Sequence, residues 1–351
     1  MLVSFAGMKV LFVPVSAAQG FGEYARAYAM ARAVQRRWPE AQLHFALSAR
    51  APYAAQCPFP ATLLPGSATL HTPQVVALLK SFKPDIAIFD NAGRTLQIRA
   101  AQAGGARVVF ISSRRRQRAK AFRLSWMRRL SEHWIAYPRF IAGELGWLER
   151  LKLRMLGRPQ VRFLDAVLPV AGDGAHGPTL GMQDFILVVP GGGTAHPGAQ
   201  RAPQIVATAA EGLTQLGLPT VLVGATQAGS GSALLRLPLL PQPQLVDLMR
   251  RARVVVSNGG DTLLQALACG CACVAVPIAH DQAARIARCR ARRLIHAAPL
   301  AAAPIIAAAA KLYADDAERQ GLIARGRAAG VQDAMPQVLE WIAALAGENQ
   351  P

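Results

Sequence analysis

Short, almost wholly apolar runs alternate along the chain with longer stretches in which apolar residues recur at helical spacing. A strand buried on both faces reads as a continuous apolar run, so this alternation predicts an α/β fold of parallel sheets covered by helices. In the first half the predicted strands are Val10 to Val15, Leu43 to Leu47, Ile86 to Phe89 and Val108 to Ile111. Helices are predicted over Glu23 to Gln35, where Tyr24, Ala27, Tyr28, Ala31 and Val34 share a face, and over Thr72 to Phe82. Glycines and a proline between Ala171 and Pro178 mark a linker, after which the alternation restarts. Strands at Phe185 to Val189, Thr220 to Val223, Val254 to Val256 and Cys273 to Val276 then enclose helical stretches at Ala202 to Leu216, Leu245 to Ala252 and Asp261 to Ala268. The expectation is two Rossmann-like domains, 1–170 and 185–335, joined by a linker at 171–184. Apolar positions at Val338, Leu339, Ile342 and Leu345 add a closing helix within the tail 336–351.

Composition narrows the function classes. The 351 residues are 52% hydrophobic and 17% charged, which excludes a disordered or fibrous chain, and the length suits two domains better than one. A formal charge of +19 points to anionic partners: nucleotides, phospholipid surfaces or nucleic acid. Five cysteines, four of them in the second half, do not form a secreted disulfide framework, and a reducing cytoplasm is the expected setting. Neither a signal peptide at the first strand nor a spanning helix in the proline-broken stretch Ala297 to Ala310 is expected.

Two glycine-rich turns follow apolar strands in the second half. Pro190-Gly191-Gly192-Gly193-Thr194 can let backbone amides approach a diphosphate, with Thr194 as an added donor, or can be a tight strand-to-helix turn. Ser257-Asn258-Gly259-Gly260-Asp261-Thr262 leads into a helix whose N-terminal amides would face the same ligand, with Gln265 one turn further on. His280-Asp281-Gln282 lies beyond the next strand, at the carboxyl end where such sheets bind ligands.

The stretch from Ser257 to Gln282 resembles the donor-binding signature of GT-B glycosyltransferases, especially the UDP-glycosyltransferases and the peptidoglycan N-acetylglucosaminyltransferase. The resemblance implies two Rossmann-like domains facing across a cleft, and transfer of a hexosyl or N-acetylhexosaminyl group from a nucleoside-diphosphate sugar, UDP-linked, with inversion. It implies that Gly191, Gly192, Gly193 and Thr194 hold the donor diphosphate beside Asn258, Gly259, Gly260, Asp261 and Thr262. Gln265 stands where members usually carry a ribose-binding Glu, and Asp281 with Gln282 match a pair that contacts donor-sugar hydroxyls, with His280 beside them. Ser257 replaces a usual His or Arg, and Ala272 a common Pro. In the first domain Gln19-Gly20-Phe21-Gly22-Glu23 is similar to the family's Gly-x-Gly-His acceptor turn, with Glu23 at the His position. A carboxylate there can take the acceptor hydroxyl proton, or can simply be a first-turn residue favoured by the helix dipole. Asp90 is the second candidate base, or else bonds the following Asn91-Ala92-Gly93 turn.

No cofactor and no metal is expected, because amide dipoles and basic side chains can stabilise a departing diphosphate. Cys269, Cys271 and Cys273 lack the paired spacing of a tetrahedral site and read as small core residues. The basic excess is concentrated between Ser112 and Arg162, where fourteen Arg or Lys face three Glu, giving +11 of the +19. Arg114, Arg115, Arg116, Arg118 and Lys120 precede Phe122, Leu124, Trp126, Met127 and Leu130, and Trp147, Leu148, Leu151, Leu153 and Met155 mix with Arg150, Lys152 and Arg154. That mixture predicts contact between segment 112–162 and an anionic membrane surface or a lipid-linked acceptor, placing the protein in the cytoplasm or peripherally at the inner membrane face. A solvated basic face remains open, and nucleic-acid contact is the weakest option. Two other functions stay in view: a nucleotide-sugar 2-epimerase or hydrolase on the same fold, and a noncatalytic membrane or nucleic-acid binding protein.

Overall fold

The computed structural model describes residues 7–16, 21–170, 177–178, 180, 182–191, 200–224, 229–230, 234–280 and 282–347. The chain divides into two compact units, one of Met1–Val167 with Ala334–Pro351, the other of Leu168–Asp333. Most of the linker expected at 171–184 lies outside the described residues; Gly177 donates its amide to Asp247 Oδ2 at 3.0 Å.

The first unit is built on β1 (Lys9–Pro14), β2 (Gln42–Ser48), β3 (Ala61–Leu64), β4 (Ile86–Asp90), β5 (Arg107–Ser112), β6 (Glu132–Ala136) and β7 (Gln160–Leu164). All pair in parallel, in the order β3-β2-β1-β4-β5-β6-β7. Its crossovers carry α1 (Gly22–Arg37), α2 (Thr72–Phe82), α3 (Thr95–Ala103), α4 (Arg115–Ala121), α5 (Leu124–Met127), α6 (Arg139–Ala142) and α7 (Trp147–Leu156). The second unit has β8 (Ile186–Val189), β9 (Thr220–Val223), β10 (Gly229–Ser230), β11 (Leu234–Leu237), β12 (Val254–Asn258), β13 (Cys273–Val276) and β14 (His296–Ala297). These run β10-β11-β9-β8-β12-β13-β14, parallel except for the short β10 pairing. Its helices are α8 (Ala202–Gln215), α9 (Gln242–Arg251), α10 (Asp261–Ala268), α11 (Gln282–Ala291), α12 (Ala302–Ala314) and α13 (Asp316–Ala328), and α14 (Met335–Gly347) returns to the first unit. Both sheets are doubly wound. The strand order reverses between β1 and β4 in one and between β8 and β12 in the other, and such reversals open a crevice at the strand carboxyl ends.

Central strands such as Val10 to Val13 and Val254 to Val256 are buried, with cores completed by small and branched side chains of the covering helices. The same packing corrects the reading of segment 112–162. Phe122, Trp126, Met127 and Leu130 belong to the core of the first unit, with Trp126 donating from Nε1 to Thr95 Oγ1 at 3.0 Å, so they cannot enter a membrane surface. Two strands, β6 and β7, also run through that segment. Glu132 in β6 is buried and takes both Arg162 contacts from β7 at 2.9 Å, while His133 is buried against Ser112 Oγ at 2.8 Å. Arg162 lies over the Trp341 ring and Trp134 packs against it at a tilt, which seats α14.

Candidate functional site

In each unit the singled-out residues gather at the strand-order reversal. The first unit places Glu23 on the first turn of α1, directly after β1, and Asp90 and Asn91 at the carboxyl end of β4. Glu23 and Arg26 are three residues apart and share one helix face. Arg26 reaches Asp90 through two bonds, Nε to Oδ2 at 2.8 Å and Nη2 to Oδ1 at 3.1 Å, with both side chains buried. One turn back, Glu23 Oε1 accepts from Asn91 Nδ2 at 3.1 Å. Asn91 is oriented by Ser113, whose backbone amide donates to Asn91 Oδ1 at 2.9 Å and whose Oγ lies 2.5 Å from Nδ2. The two candidate bases are therefore held differently: Asp90 lies in a buried ion pair with Arg26, whereas Glu23 is partly exposed and steadied by a neutral amide.

Around Glu23, Gly20 lies outside the described residues and Gly22 opens α1. Phe21 exposes half of its ring and packs edge-on to Tyr24 and Tyr53, which stack on each other at 4.2 Å. Burial, reinforced by the neighbouring Cys57, pushes the Tyr24 hydroxyl well above its ordinary range, so it stays protonated. The result is an apolar platform beside a carboxylate.

The second unit ties Pro190, at the end of β8, to the Gly259-Gly260 turn through one side chain. Asn258, the last residue of β12, donates from Nδ2 to the Pro190 carbonyl at 2.7 Å and accepts the Gly260 amide on Oδ1 at 2.7 Å. Gly191 follows at φ +70°, and a Cβ there would lie on the Asn258 amide nitrogen and 3.3 Å from Thr262 Oγ1. Gly259 is required by close approach, since a Cβ would meet Ile286 of α11 at 2.6 Å. Asp261 and Thr262 form the first turn of α10, whose N-terminal amides carry favourable potential for an anion; the Gly260 amide itself is committed to Asn258. Gln265 is buried in the same helix, with Leu263, Leu264 and Leu267 packed inward as their spacing predicts.

Gln282 is also buried, and its Oε1 accepts the amides of Ile278 and Ala279 at 2.9 and 3.2 Å. Its carbonyl thus shapes the loop after β13, and its amide nitrogen points toward Gly260. His280 is exposed. Gly192, Gly193, Thr194 and Asp281 lie outside the described residues. Ser257 is buried with its Oγ unbonded among the described residues, and Ala272 packs in the core. Burial raises the thiols of Cys269, Cys271, Cys273 and Cys289, two of them to about 11, which keeps them protonated and inert at neutral pH. Among the described residues there is no cluster of His, Cys, Asp or Glu able to hold a metal, and no helix long and apolar enough to cross a membrane.

Sequence reasoning singled out Glu23, Asp90 and Asn258 but not Arg26 and Ser113, which contact them and whose partners are 64 and 22 residues away. No protein-family model matches the sequence, and no curated protein matches it. Solved structures do. The spinosyn rhamnosyltransferase SpnG superposes with a TM-score of 0.68 at 14% identity, over 96% of this chain and 100% of that one. UGT89C1 of Arabidopsis thaliana, complexed with UDP, gives 0.65 at 13% identity over 97% and 99%. The glycosyltransferase SnogD of Streptomyces nogalater gives 0.61 at 14% identity over 97% and 99%. Across nearly its whole length the chain has the fold of the GT-B glycosyltransferases.

Proposed function

We propose that the protein transfers a sugar from a nucleoside-diphosphate sugar, UDP-linked as in the UDP complex of the Arabidopsis structure, to an acceptor hydroxyl. The observation that carries this reading is the Asn258 tie, which holds the Gly191 and Gly259-Gly260 turns at the strand-order reversal of the second sheet. Such a reversal, with a helix N-terminus beside it, is where a diphosphate gains most from backbone amides. The donor rests there, with Gly192, Gly193 and Thr194 adding amides and a hydroxyl, and with Gln265, His280, Asp281 and Gln282 as the ribose and sugar side of the site. The acceptor lies against the first unit, on Phe21 and Tyr24, and is carried on a lipid; the group it receives is hexosyl or N-acetylhexosaminyl.

In the transfer step Glu23 takes the proton of the acceptor hydroxyl as its oxygen forms a bond to the anomeric carbon. The bond from that carbon to the diphosphate oxygen breaks on the opposite side, which inverts the centre. The nucleoside diphosphate leaves with the electron pair, its charge met by the α10 amides and the glycine turns rather than by a metal.

UDP, dTDP, GDP and ADP are to be compared by thermal melting, and UDP is expected to give the largest rise; at one hundred times Kd a ligand adds about 2.7 kcal/mol. No shift with any of the four would remove the donor site. Product analysis with a labelled nucleotide sugar, with and without acceptor lipid, separates transfer from epimerisation or hydrolysis, and unchanged rates in EDTA would support the metal-free step. Gly191→Ala is expected to weaken nucleotide binding at least tenfold. It forces a side chain into left-handed backbone at about 1–2 kcal/mol and displaces the Asn258 amide. Wild-type titration curves for that variant would show that the turn does not shape the site.

A further inference from the structure

The helix α7 turns a broad apolar arc outward. None of its ten residues is buried. Trp147 is 68% exposed, Leu148 50%, Leu151 46% and Met155 74%. At 100° per residue these four fall within one arc of about 100°, and Arg154 and Arg150 continue the same exposed face along one edge. Glu149 and Lys152 face inward, beside the half-buried Leu153 and Leu156. Glu149 is clamped by Arg118 of α4 at 2.6 and 3.0 Å, and Lys152 donates to the Phe122 carbonyl at 3.1 Å. Arg118 also bonds the carbonyls of Ala142, Gly143 and Glu144, which fixes the chain entering the helix.

The clamp changes the charge of the face as well as its orientation. The three acidic residues between Ser112 and Arg162 are each taken by an arginine: Glu132 by Arg162, Glu144 by Arg139 and Glu149 by Arg118. Among the described residues no carboxylate pairs with Arg150 or Arg154, and exposed Arg123 and Leu124 follow directly on the Phe122 that receives Lys152. A rigid apolar ridge with a wide indole and uncompensated guanidinium groups on its flank is what an anionic bilayer surface receives. The apolar side chains enter the acyl boundary while the basic groups stay among headgroup phosphates. A second copy of the chain fits poorly. Two such faces would oppose arginines with no acid between them, and a ten-residue helix offers far less than the roughly 800 Å² per partner of a stable interface.

We propose that α7 is a membrane-docking face, taking an anionic phospholipid bilayer through Trp147, Leu148, Leu151 and Met155 with Arg150 and Arg154 at its edge. The proposal concerns where the protein works and does not depend on the sugar-transfer reading. The test is cosedimentation of the full chain with phosphatidylcholine vesicles, with and without phosphatidylglycerol, at low and high salt. Binding is expected to require phosphatidylglycerol, to weaken with salt and to shift tryptophan emission to the blue. The Trp147→Phe variant is expected to bind with most of that shift gone. Leu151→Ser with Met155→Ser is expected to abolish sedimentation without lowering the melting temperature. Replacing Arg150 and Arg154 by Gln is expected to weaken partitioning roughly thirtyfold, at about 1 kcal/mol for each surface charge. Binding that ignores phosphatidylglycerol or these substitutions would overturn the proposal. So would displacement of vesicles by RNA, or a dimer that the Leu151 and Met155 substitutions dissociate.

Discussion

Glu23→Gln is expected to lower sugar transfer by about 10²- to 10⁴-fold, the range a positioned general base supplies, while leaving nucleotide binding and thermal stability near wild type. The geometry makes this substitution clean. Glu23 Oε1 accepts from Asn91 Nδ2, and the carboxamide of Gln keeps an acceptor oxygen in that place. The orientation of Asn91 is set independently, because its Oδ1 is already taken by the Ser113 backbone amide, so the partner amide does not rotate to suit the variant. Only the capacity to remove a proton is lost. No buried charge is created, since Glu23 is partly exposed. Single-turnover measurement with saturating donor separates the chemical step from binding: kcat falls and the donor Kd stays. An undiminished kcat would move the base to another residue.

Much of this arrangement was legible beforehand, for a reason specific to doubly wound sheets. Strands covered on both faces are uninterrupted apolar runs, so β1, β4, β9, β12 and β13 stand out as Val, Ile and Leu clusters, and the turns after β1, β4, β8 and β12 lie at the carboxyl ends beside the strand-order reversals. Some of the misses come from buried polarity satisfied from far along the chain. β6 begins Glu132-His133, which reads as surface until Arg162 and Ser112 are found beside it. With β6 and β7 hidden, the mixture of arginine and tryptophan around them looked like one interfacial stretch, whereas Trp126 is a core residue and only the later helix presents its apolar side outward. Asn258 was visible as a polar strand end, but its link to Pro190 spans 68 residues and has no local signature.

The remaining candidate, Asp90, is expected to give the opposite phenotype. Asp90→Asn should cost about 3–5 kcal/mol of stability in the first unit, because it leaves the buried Arg26 guanidinium facing a neutral amide. An amide offers one acceptor oxygen in place of two and turns an N–H toward Arg26 Nη2 or Nε, so one of the two bonds becomes a donor–donor contact. The loss is expected in urea or thermal unfolding, accompanied by lower activity only in proportion to the unfolded fraction. Pairing the change with Arg26→Met is expected to recover most of the stability, since removing both charges costs far less than stranding one. That recovery distinguishes the ion pair from a catalytic role: a base would remain missing in the double variant, whereas a structural pair would not. If Asp90→Asn instead melts like wild type, binds nucleotide normally and fails to transfer sugar, then Asp90 is the base and the Arg26 contact is an orienting bond within the active site.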